Sequence, residues 1–405
     1  MGEGIGSVWL DARGTQSAAH GERGIARYIA EQINALTRVR PELELHIGLD
    51  PDLPVPPSLE AVAAEGRVRP HGPESAGVDP PPSIYHVMSP FEAGLDLDEV
   101  WPGWARSQQL RTVVTLYDLI PLVMRDQYLT DSNWGAWGTA WLARLGLIRS
   151  GDHLLTISQR TADDAIEHLG IPRERITVID SGTSWQLSER APTVESAREL
   201  LRGEVKRLRP GFLLYVGGGD PRKNLEGAIE GYALLPEAIR REHQLAIVCD
   251  LTLARRAQLL AYARRLGIRL RDLVLPGFVS DDVLAALYRG CGLFIFPSLY
   301  EGAGLPVLEA MACGAPVVAS ATSSIPEILG DLEGTFDPSD SEDIARCIAE
   351  VLADPAALDA LRARSAQRPR LFTWERVAAL TVEGYERALA SEPTARPAPA
   401  PAGPG

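Results

Sequence analysis

Residues 301–314 read EGAGLPVLEAMACG and lie between two apolar runs, 293–296 and 316–319, that predict buried strands. Pro306 stands near the beginning of the intervening apolar stretch and Gly314 stands at its end, which is typical of the first turn and the termination of a helix. The segment therefore predicts a strand, a loop, a short helix and a second strand. This is the repeating pattern of an α/β fold, in which a parallel sheet is wrapped by helices.

The same segment predicts an anion site flanked by two carboxylates. Gly302, Ala303 and Gly304 carry little or no side chain, so backbone amides can approach an anion at the helix N-terminus. Glu301 precedes this loop, and Glu309 lies one turn into the helix. Carboxylates beside a phosphate are unfavourable unless they bind another group, and sugar or ribose hydroxyls fit that need. We expect a site for a sugar joined to a diphosphate; the alternative is that both glutamates are solvated.

A second informative stretch, YVGGGDPRKNLEGAIEGY, spans residues 215–232. Arg222 and Lys223 come directly before a predicted helix, where two cations can clamp a pyrophosphate through charge-assisted hydrogen bonds. The alternative is that both side chains are simply solvated. The glycines do not form a dinucleotide fingerprint, because Arg222 occupies the place of the third glycine. Asp250 also lies beyond the spacing of about 20 residues expected for a ribose-binding acid, which disfavours a nicotinamide enzyme.

Composition narrows the possible partners and surroundings. The 405 residues are enough for two α/β domains, and the net charge of −14 argues against a nucleic-acid partner. Four widely spaced cysteines predict buried thiols in a reducing compartment, not a disulfide framework or a zinc site. No apolar stretch reaches the roughly 20 residues that span a bilayer, and the N-terminus lacks a signal-peptide pattern. We expect a cytoplasmic protein with at most peripheral membrane contact.

The predicted elements fall into two α/β series. Residues 1–184 form the first series, and residues 210–373 form the second. The predicted strands are 8–10, 43–47, 84–87, 112–116, 154–157 and 176–179 in the first series, and 212–216, 245–249, 273–275, 293–296 and 317–319 in the second. Between the series, residues 185–209 are polar and lack a strand, so they predict an inter-domain linker. Residues 51–82 are rich in proline and glycine and predict a variable excursion. After a final helix, 374–392, residues 393–405 predict a disordered tail.

Residues 301–314 closely resemble the signature of retaining glycosyltransferases of the large nucleotide-sugar-dependent family 4, where two glutamates also lie eight positions apart. The PRKN element at 221–224 and the GIARY sequence at 24–28 resemble other motifs of that family. YDLIP at 117–121 and SPFE at 89–92 resemble segments of its polysaccharide mannosyltransferase-like members. The resemblance implies a GT-B fold, with two Rossmann-like domains facing across a cleft. It also implies that the last helix packs back on the N-terminal domain.

The resemblance implies roles for individual residues on the donor side. Glu301 would hold donor-sugar hydroxyls, Glu309 the nucleotide ribose, and Lys223 the β-phosphate. Gly218 stands where many members carry an arginine, which leaves more of the phosphate charge to Arg222 and Lys223. The implied catalytic residues are Glu301, Lys223, Arg222, Tyr117 and Asp118. The implied donor-binding residues are Gly24, Gly218, Gly219, Val279, Asp281, Gly302, Ala303, Gly304, Leu305 and Glu309.

Four positions bear on which base and which acceptor the protein binds. In the family, the turn that contains Asp281 lies over the nucleotide base, and an aspartate there can accept hydrogen bonds from guanine; the alternative is that it only starts a helix. Tyr117 replaces a histidine whose backbone carbonyl and side chain usually lie near the anomeric centre. Glu92 and His86 are the candidates for contacting the acceptor. The alternatives are that Glu92 and Asp118 cap helices or loops and that His86 is a core residue.

We therefore predict a retaining hexosyltransferase that uses a nucleotide diphosphate sugar as co-substrate, with no metal and no other cofactor. Mannose from GDP-mannose is the favoured donor, and the acceptor is a glycan, a lipid-linked glycan or a small molecule. The first alternative is a UDP-sugar-dependent transferase. A nucleotide-sugar epimerase and a non-catalytic sugar-nucleotide-binding protein of the same fold are the second and third.

Overall fold

A computed structural model describes residues 5–17, 24–71, 81–91, 95–106, 110–183 and 191–395, with only the backbone described at 131–137 and 140. The strands are β1 Ser7–Asp11, β2 Glu44–Leu49, β3 Val68–Pro70, β4 Ile84–Val87, β5 Arg111–Leu116, β6 His153–Thr156, β7 Ile176–Val178, β8 Leu213–Val216, β9 Leu245–Val248, β10 Leu273–Val274, β11 Leu293–Phe296, β12 Val317–Ser320 and β13 Thr335–Phe336.

The α-helices are α1 Ile25–Val39, α2 Glu60–Ala64, α3 Leu97–Val100, α4 Ile120–Val123, α5 Arg125–Tyr128, α6 Asp131–Ser150, α7 Gln159–Leu169, α8 Val194–Glu204, α9 Leu225–Leu234, α10 Glu237–Glu242, α11 Leu253–Arg265, α12 Asp281–Gly290, α13 Leu305–Ala312, α14 Ile325–Leu329, α15 Ser341–Ala353, α16 Pro355–Gln367 and α17 Trp374–Ala390. Short 3-10 turns lie at Arg13–Gln16, Pro57–Leu59, Gly103–Arg106, Arg173–Arg175, Pro221–Lys223 and Arg368–Leu371. In the part of the chain that the structure describes, no helix is both long and apolar enough to cross a membrane.

The chain divides into two units, Met1–Gly182 with Thr373–Gly405, and Thr183–Phe372. The first unit contains a parallel sheet in the order β3-β2-β1-β4-β5-β6-β7, and the second contains a parallel sheet in the order β10-β9-β8-β11-β12-β13. Because parallel strands need helical crossovers, both sheets are wrapped by helices, as the alternating pattern predicts. The α/β class with two Rossmann-like domains is thus confirmed.

The last helix returns to the first unit. Trp374 packs edge-on against Tyr28 of α1, with ring centroids 4.9 Å apart. Gln32 of α1 donates from Nε2 to Thr381 Oγ1 at 2.9 Å in a buried setting. These contacts confirm that α17 packs on the N-terminal domain. Thr394, just beyond the helix, donates from its backbone nitrogen to an oxygen of Asp152 at 2.8 Å.

Of the predictions about the connecting segments, the linker and the start of the tail are wrong, and the excursion is incomplete. Residues 191–209 are not a linker: they belong to the second unit, where Ala197 and Leu201 of α8 are buried in its core. Residues 51–82 are not only an excursion, because β3 pairs with β2 at the edge of the first sheet. The predicted tail, 393–405, begins too early, since Thr394 is hydrogen-bonded to Asp152; residues 396–405 lie outside the described residues.

The four cysteines are free and buried, as predicted. Burial raises the pKa of Cys313 to about 12 and that of Cys347 to about 12. Thiols that stay protonated at neutral pH are poor nucleophiles and poor metal ligands. We therefore assign these side chains to the core.

Candidate functional site

The candidate site lies where the strand order of the second sheet reverses. From β8 the chain runs outward to β9 and β10, and it then crosses back to β11 on the other side of β8. Loops that leave the carboxyl ends of two such strands diverge and open a crevice, where ligands bind in open α/β sheets. The loop after β8 carries Arg222 and Lys223, and the loop after β11 carries Glu301. This topology explains why residues about 78 positions apart meet.

Glu301 forms a buried ion-pair cluster with both predicted cations. Lys223 Nζ lies 2.6 Å from Glu301 Oε1, and Arg222 Nη1 lies 2.8 Å from Glu301 Oε2. Only 6% of the Glu301 side chain is exposed, against 14% for Lys223 and 20% for Arg222. Lys223 Nζ also lies 5.4 Å from the ring centroid of Phe296, a distance typical of a cation–π contact. The alternative of solvated side chains is therefore wrong for this trio.

The cluster keeps the Glu301 carboxyl ionised. Burial alone would raise its pKa, but Lys223 and Arg222 favour the charged form, and hydrogen bonds from Lys223 and Ser298 add to their effect. Together these neighbours outweigh the burial and hold the pKa of Glu301 below its ordinary range. The site thus contains a permanent carboxylate between two cations at neutral pH.

Hydroxyl groups and one amide fix the loops around this carboxylate. The Ser298 hydroxyl donates to Glu301 Oε1 at 2.6 Å, and the backbone nitrogen of Glu301 donates to Ser323 Oγ at 3.0 Å. Asn224 Nδ2 donates to the carbonyl oxygens of Pro297 and Pro338 at 3.0 and 2.7 Å, which ties the PRKN turn to the loop after β11. We did not predict a role for Ser298, Ser323 or Asn224 from the sequence. Asn224 stands inside the PRKN motif, which was a usable signal, whereas neither serine carries one.

The loop after Glu301 turns directly into α13. Gly304 has φ +78° and ψ 39°, a left-handed conformation that favours glycine. A Cβ atom there would lie 2.5 Å from Cδ1 of Ile325, so the site also lacks room for a side chain. The helix begins at Leu305, with Pro306 in its first turn, and it ends before Gly314, as predicted. The amides of residues 302–305 therefore stand at a helix N-terminus beside the ion-pair cluster.

Glu309 lies on α13 and is half-buried. The buried Tyr288 hydroxyl of α12 donates to Glu309 Oε2 at 3.4 Å. Burial and the neighbouring Glu309 carboxylate raise the pKa of the Tyr288 phenol, which therefore stays a donor. The two signature glutamates thus occupy different surroundings: Glu301 is held by cations, and Glu309 contacts a tyrosine.

The remaining donor-side positions lie in loops at the carboxyl edge of the same sheet. Gly218 and Gly219 are exposed in the loop after β8, and Val279 is half-buried in the turn after β10. Asp281 is the first residue of α12, directly after the N-cap Ser280. Because acids are favourable in a first helical turn, this placement fits the alternative of a helix start. A contact between Asp281 and a base stays a prediction.

The first unit holds the other predicted positions. Gly24 has φ +61°, precedes α1 and accepts a hydrogen bond from the backbone nitrogen of Tyr28, so it starts the helix as expected. Tyr117 is buried, edge-on to Tyr28 with ring centroids 5.3 Å apart, and its carbonyl oxygen accepts from Thr161 at 3.2 Å. Asp118 Oδ1 accepts from the backbone nitrogen of Ile120 at 3.1 Å, which fits the alternative of a helix cap. Catalytic roles for Tyr117 and Asp118 stay predictions.

The assignment of His86 to the acceptor is wrong. Its side chain is fully buried, Nδ1 lies 2.8 Å from Tyr385 Oη, and Nε2 lies 2.7 Å from Thr115 Oγ1. Burial lowers the pKa of His86 to about 3, so the imidazole is a neutral core group. The physical reason is that β4 lies inside the sheet, beneath α17. Glu92, the other acceptor candidate, lies outside the described residues.

Comparisons with known proteins agree with this fold. The sequence profile described as "Glycosyl transferases group 1" matches residues 197–368, and the profile "Glycosyltransferase Family 4" matches residues 23–184. The chain is 33% identical over 310 residues to the serotype-specific mannosyltransferase WbdA of Escherichia coli, which covers 76% of this chain and 37% of that protein. The chain therefore spans little more than a third of the length of that relative.

Two further matches span more of the other protein's length. A glycogen synthase of Mycobacterium tuberculosis is 30% identical over 308 residues, which covers 73% of this chain and 69% of that protein. The solved structure of sucrose-phosphate synthase from Thermosynechococcus elongatus superposes with a TM-score of 0.68 at 21% identity, covering 95% of this chain and 99% of that one. At that identity the superposition shows the fold alone. Together with the two profiles, these matches show that the chain belongs to the GT-B glycosyltransferases of family 4, the glycosyl transferases group 1.

Proposed function

We propose that this chain transfers a hexosyl group, with retention of the anomeric configuration, from a nucleotide diphosphate sugar to a carbohydrate, lipid-linked or small-molecule acceptor. The observation that carries the proposal is the buried cluster of Glu301, Lys223 and Arg222 at the switch point of the second sheet. It stands beside the N-terminus of α13, so fixed positive charge and backbone amides converge at one place. Such a place suits an anionic leaving group.

The chemistry that these residues supply is mainly electrostatic. As the bond between the sugar and the diphosphate breaks, negative charge grows on the departing phosphate oxygen. Lys223 and Arg222 would stabilise that charge, because both cations already lie beside the N-terminus of α13 before the donor binds. Glu301 would accept hydrogen bonds from the sugar, and Glu309, with Tyr288, would hold the ribose. The proposed mechanism uses no metal ion and no further cofactor.

We further propose GDP-mannose as the donor. The named activity of the similar WbdA protein supports mannose. Asp281 is the first residue of α12, and in the proposed complex its carboxylate would accept hydrogen bonds from guanine N1–H and N2–H. Uracil does not present that pair of donors. A UDP-sugar donor is the alternative, and the release of nucleoside diphosphate from a panel of nucleotide sugars decides between the two.

The test of this function is an assay of nucleoside diphosphate release, run in the presence of EDTA with GDP-mannose, UDP-glucose and ADP-glucose. We expect GDP-mannose to be turned over fastest. Lys223→Ala removes a charge from the leaving group and Glu309→Gln removes a ribose acceptor, so each should lower the rate by at least two orders of magnitude. Lys206→Ala, at an exposed position outside the site, is the matched control and should keep the wild-type rate.

Two results would contradict the proposal. Full activity of both site variants would show that the assigned site takes no part in the reaction. A preference for UDP-glucose would show that the donor assignment is wrong while the proposed transfer reaction stands. Conversion of the donor into an epimer without acceptor would instead support the epimerase alternative.

A further inference from the structure

Both oxygens of the Glu301 carboxylate are occupied by donors of the protein. Oε1 accepts from Lys223 Nζ and from the Ser298 hydroxyl, each at 2.6 Å. Oε2 accepts from Arg222 Nη1 at 2.8 Å. The same Nη1 atom also donates to the carbonyl oxygen of Tyr300 at 3.1 Å. Glu301 is therefore paired with the same two cations that, in the proposed function, bind the diphosphate.

This sharing has an electrostatic cost when a diphosphate binds. Glu301 pairs with both cations, and Asp220 Oδ1 lies 3.7 Å from Arg222 Nε at a more exposed position. A nucleoside diphosphate adds at least two further negative charges within the reach of the same cations. Glu301 is 6% exposed, so water screens its charge weakly. The carboxylate must then either give up part of its contact with Lys223 and Arg222 or stay close to a like charge. Either outcome weakens diphosphate binding.

A nucleotide sugar offsets this cost and a nucleoside diphosphate does not. The sugar brings hydroxyl donors that can take the place of Lys223 and Arg222 at the Glu301 carboxylate, because a buried carboxylate without donors is costly. The nucleoside diphosphate left after transfer has no such donors. We propose that Glu301 acts as an internal competitor of the diphosphate and thereby makes the site favour the nucleotide sugar over the nucleoside diphosphate product. This inference rests on the proposed function.

Removal of the buried charge on Glu301 should therefore tighten product binding. Glu301→Gln keeps the size and the hydrogen-bonding oxygen of the side chain but removes the negative charge. We expect titration calorimetry to show GDP binding at least tenfold tighter than in the wild type, which corresponds to about 1.4 kcal/mol. Binding of GDP-mannose should tighten less. The dissociation constant of GDP divided by that of GDP-mannose, which is above one in the wild type, should therefore fall toward one.

Glu309→Gln is the matched control, because it makes the same chemical change on α13, eight positions away. It should weaken GDP binding, because the proposed function assigns Glu309 to the ribose, so it moves GDP affinity in the opposite direction from Glu301→Gln. Glu301→Asp is the second variant if Glu301→Gln does not fold: it keeps the charge, draws it back by one methylene from both cations, and should tighten GDP binding to a smaller extent. Thermal unfolding of each variant, with and without GDP, checks that the fold is intact.

The binding results separate this inference from the function on which it rests. If the wild type binds none of GDP, UDP, ADP and dTDP, the proposed function fails. If the wild type binds one of these and Glu301→Gln binds it equally or more weakly, the inference is overturned while the function stands. Tighter GDP binding in both Glu301→Gln and Glu309→Gln would also overturn the inference, because the effect would then come from the loss of any negative charge near the site.

Discussion

Ser298 lies two residues after β11, and its side chain contacts both Glu301 and the loop that carries Arg222 and Lys223. Its hydroxyl donates to Glu301 Oε1 at 2.6 Å, and its Oγ lies 3.0 Å from the carbonyl oxygen of Arg222. The side chain is fully buried, so no water replaces it easily. One hydroxyl therefore sets the position of the carboxylate relative to the loop that carries both cations.

Replacement of Ser298 by alanine should affect both rate and pH dependence. A hydrogen bond to a charged group contributes about 1.5–3 kcal/mol to the stability of the arrangement that it holds. Without this bond the carboxylate is held less firmly in place, so we expect the rate of transfer to fall at least tenfold. Loss of this donor also raises the pKa of Glu301, which the hydroxyl helps to lower in the wild type. Because the carboxylate acts in its ionised form, activity should decline at a higher pH than in the wild type as the solution is acidified. A pH–rate profile measures both effects.

Ser320→Ala provides the control for that experiment. Ser320 ends β12, is equally buried, and its Oγ has no hydrogen-bond partner among the described residues. This variant should keep the wild-type profile, and Ser298→Thr, which retains a hydroxyl, should recover part of the rate that Ser298→Ala loses. An unchanged acid limb in Ser298→Ala would show that the hydroxyl does not influence the ionisation of Glu301.

Individual site residues were predictable from sequence to different degrees. Glu301, Lys223 and Arg222 could be identified because charged side chains beside glycine-rich turns have few other uses. Ser298 could not be identified, because a serine after a strand is common in loops of every kind. His86 was misassigned for a related reason: the apolar run that contains it predicts a strand, but sequence does not show which faces of that strand are covered.

At the scale of elements, the short helix α13 depends on the backbone of one residue before it. Gly304 adopts φ +78°, and the atom nearest to its missing Cβ is Cδ1 of Ile325 on α14, at 2.5 Å. The two constraints are independent, since the first concerns the backbone conformation and the second concerns space. Both act on the loop that carries the predicted anion-binding amides.

Gly304→Ala should destabilise the second unit by about 2–3 kcal/mol, of which roughly 1 kcal/mol comes from the left-handed backbone and the rest from the close contact. Gly267→Ala isolates the backbone contribution, because Gly267 has the same φ of +78° and a Cβ atom there would meet nothing within 4 Å. Urea denaturation of the variants measures the difference.

Ile325→Val removes the methyl group that the new side chain would meet first. The loss of unfolding free energy in the double variant with Gly304→Ala should therefore be about 1 kcal/mol smaller than the sum of the losses in the two single variants. Strict additivity would show that the loop moves away from Ile325, in which case the cost at Gly304 is conformational only.

Predictions of elements succeeded where a strong apolar pattern coincides with turn residues. β4 and β11 were predicted at their observed bounds, because short β-branched or aromatic runs stand between polar segments. β3 was missed because its three residues, Val68–Pro70, include an arginine and a proline and occupy an edge. Helix α8 was missed because most of its surface is charged: only Ala197 and Leu201 are fully buried, and Leu200 packs against the core while partly buried.

At the scale of the whole molecule, the first unit is built from two distant parts of the chain. His86 on β4 contacts Tyr385 on α17 at 2.8 Å, and Gln32 on α1 contacts Thr381 on α17 at 2.9 Å. The apolar periodicity of residues 374–390 predicts a helix with one buried face. It does not indicate which sheet that face covers, so this part of the prediction came from the family resemblance alone.

This arrangement predicts that the two units respond differently to the loss of the C-terminus. Truncation after Phe372 removes α17 and exposes the apolar surface of α1 and of the strands beneath it, which leaves His86 and Gln32 without their partners on that helix. The first unit should then become sensitive to protease, whereas the second unit, Thr183–Phe372, keeps both of its core clusters intact. Limited proteolysis with mass spectrometry should therefore recover a protected fragment that begins near residue 183.

Truncation after Ala395 removes only residues outside the described part and should leave both units protected, which makes it the control. The protected fragment should still bind the nucleoside diphosphate that the full chain binds, because Lys223, Arg222 and Glu301 all lie within it. Protection of the first unit after removal of α17 would show that its sheet is stable without the helix. A protected second unit that no longer binds any nucleoside diphosphate would instead place essential donor contacts in the first unit.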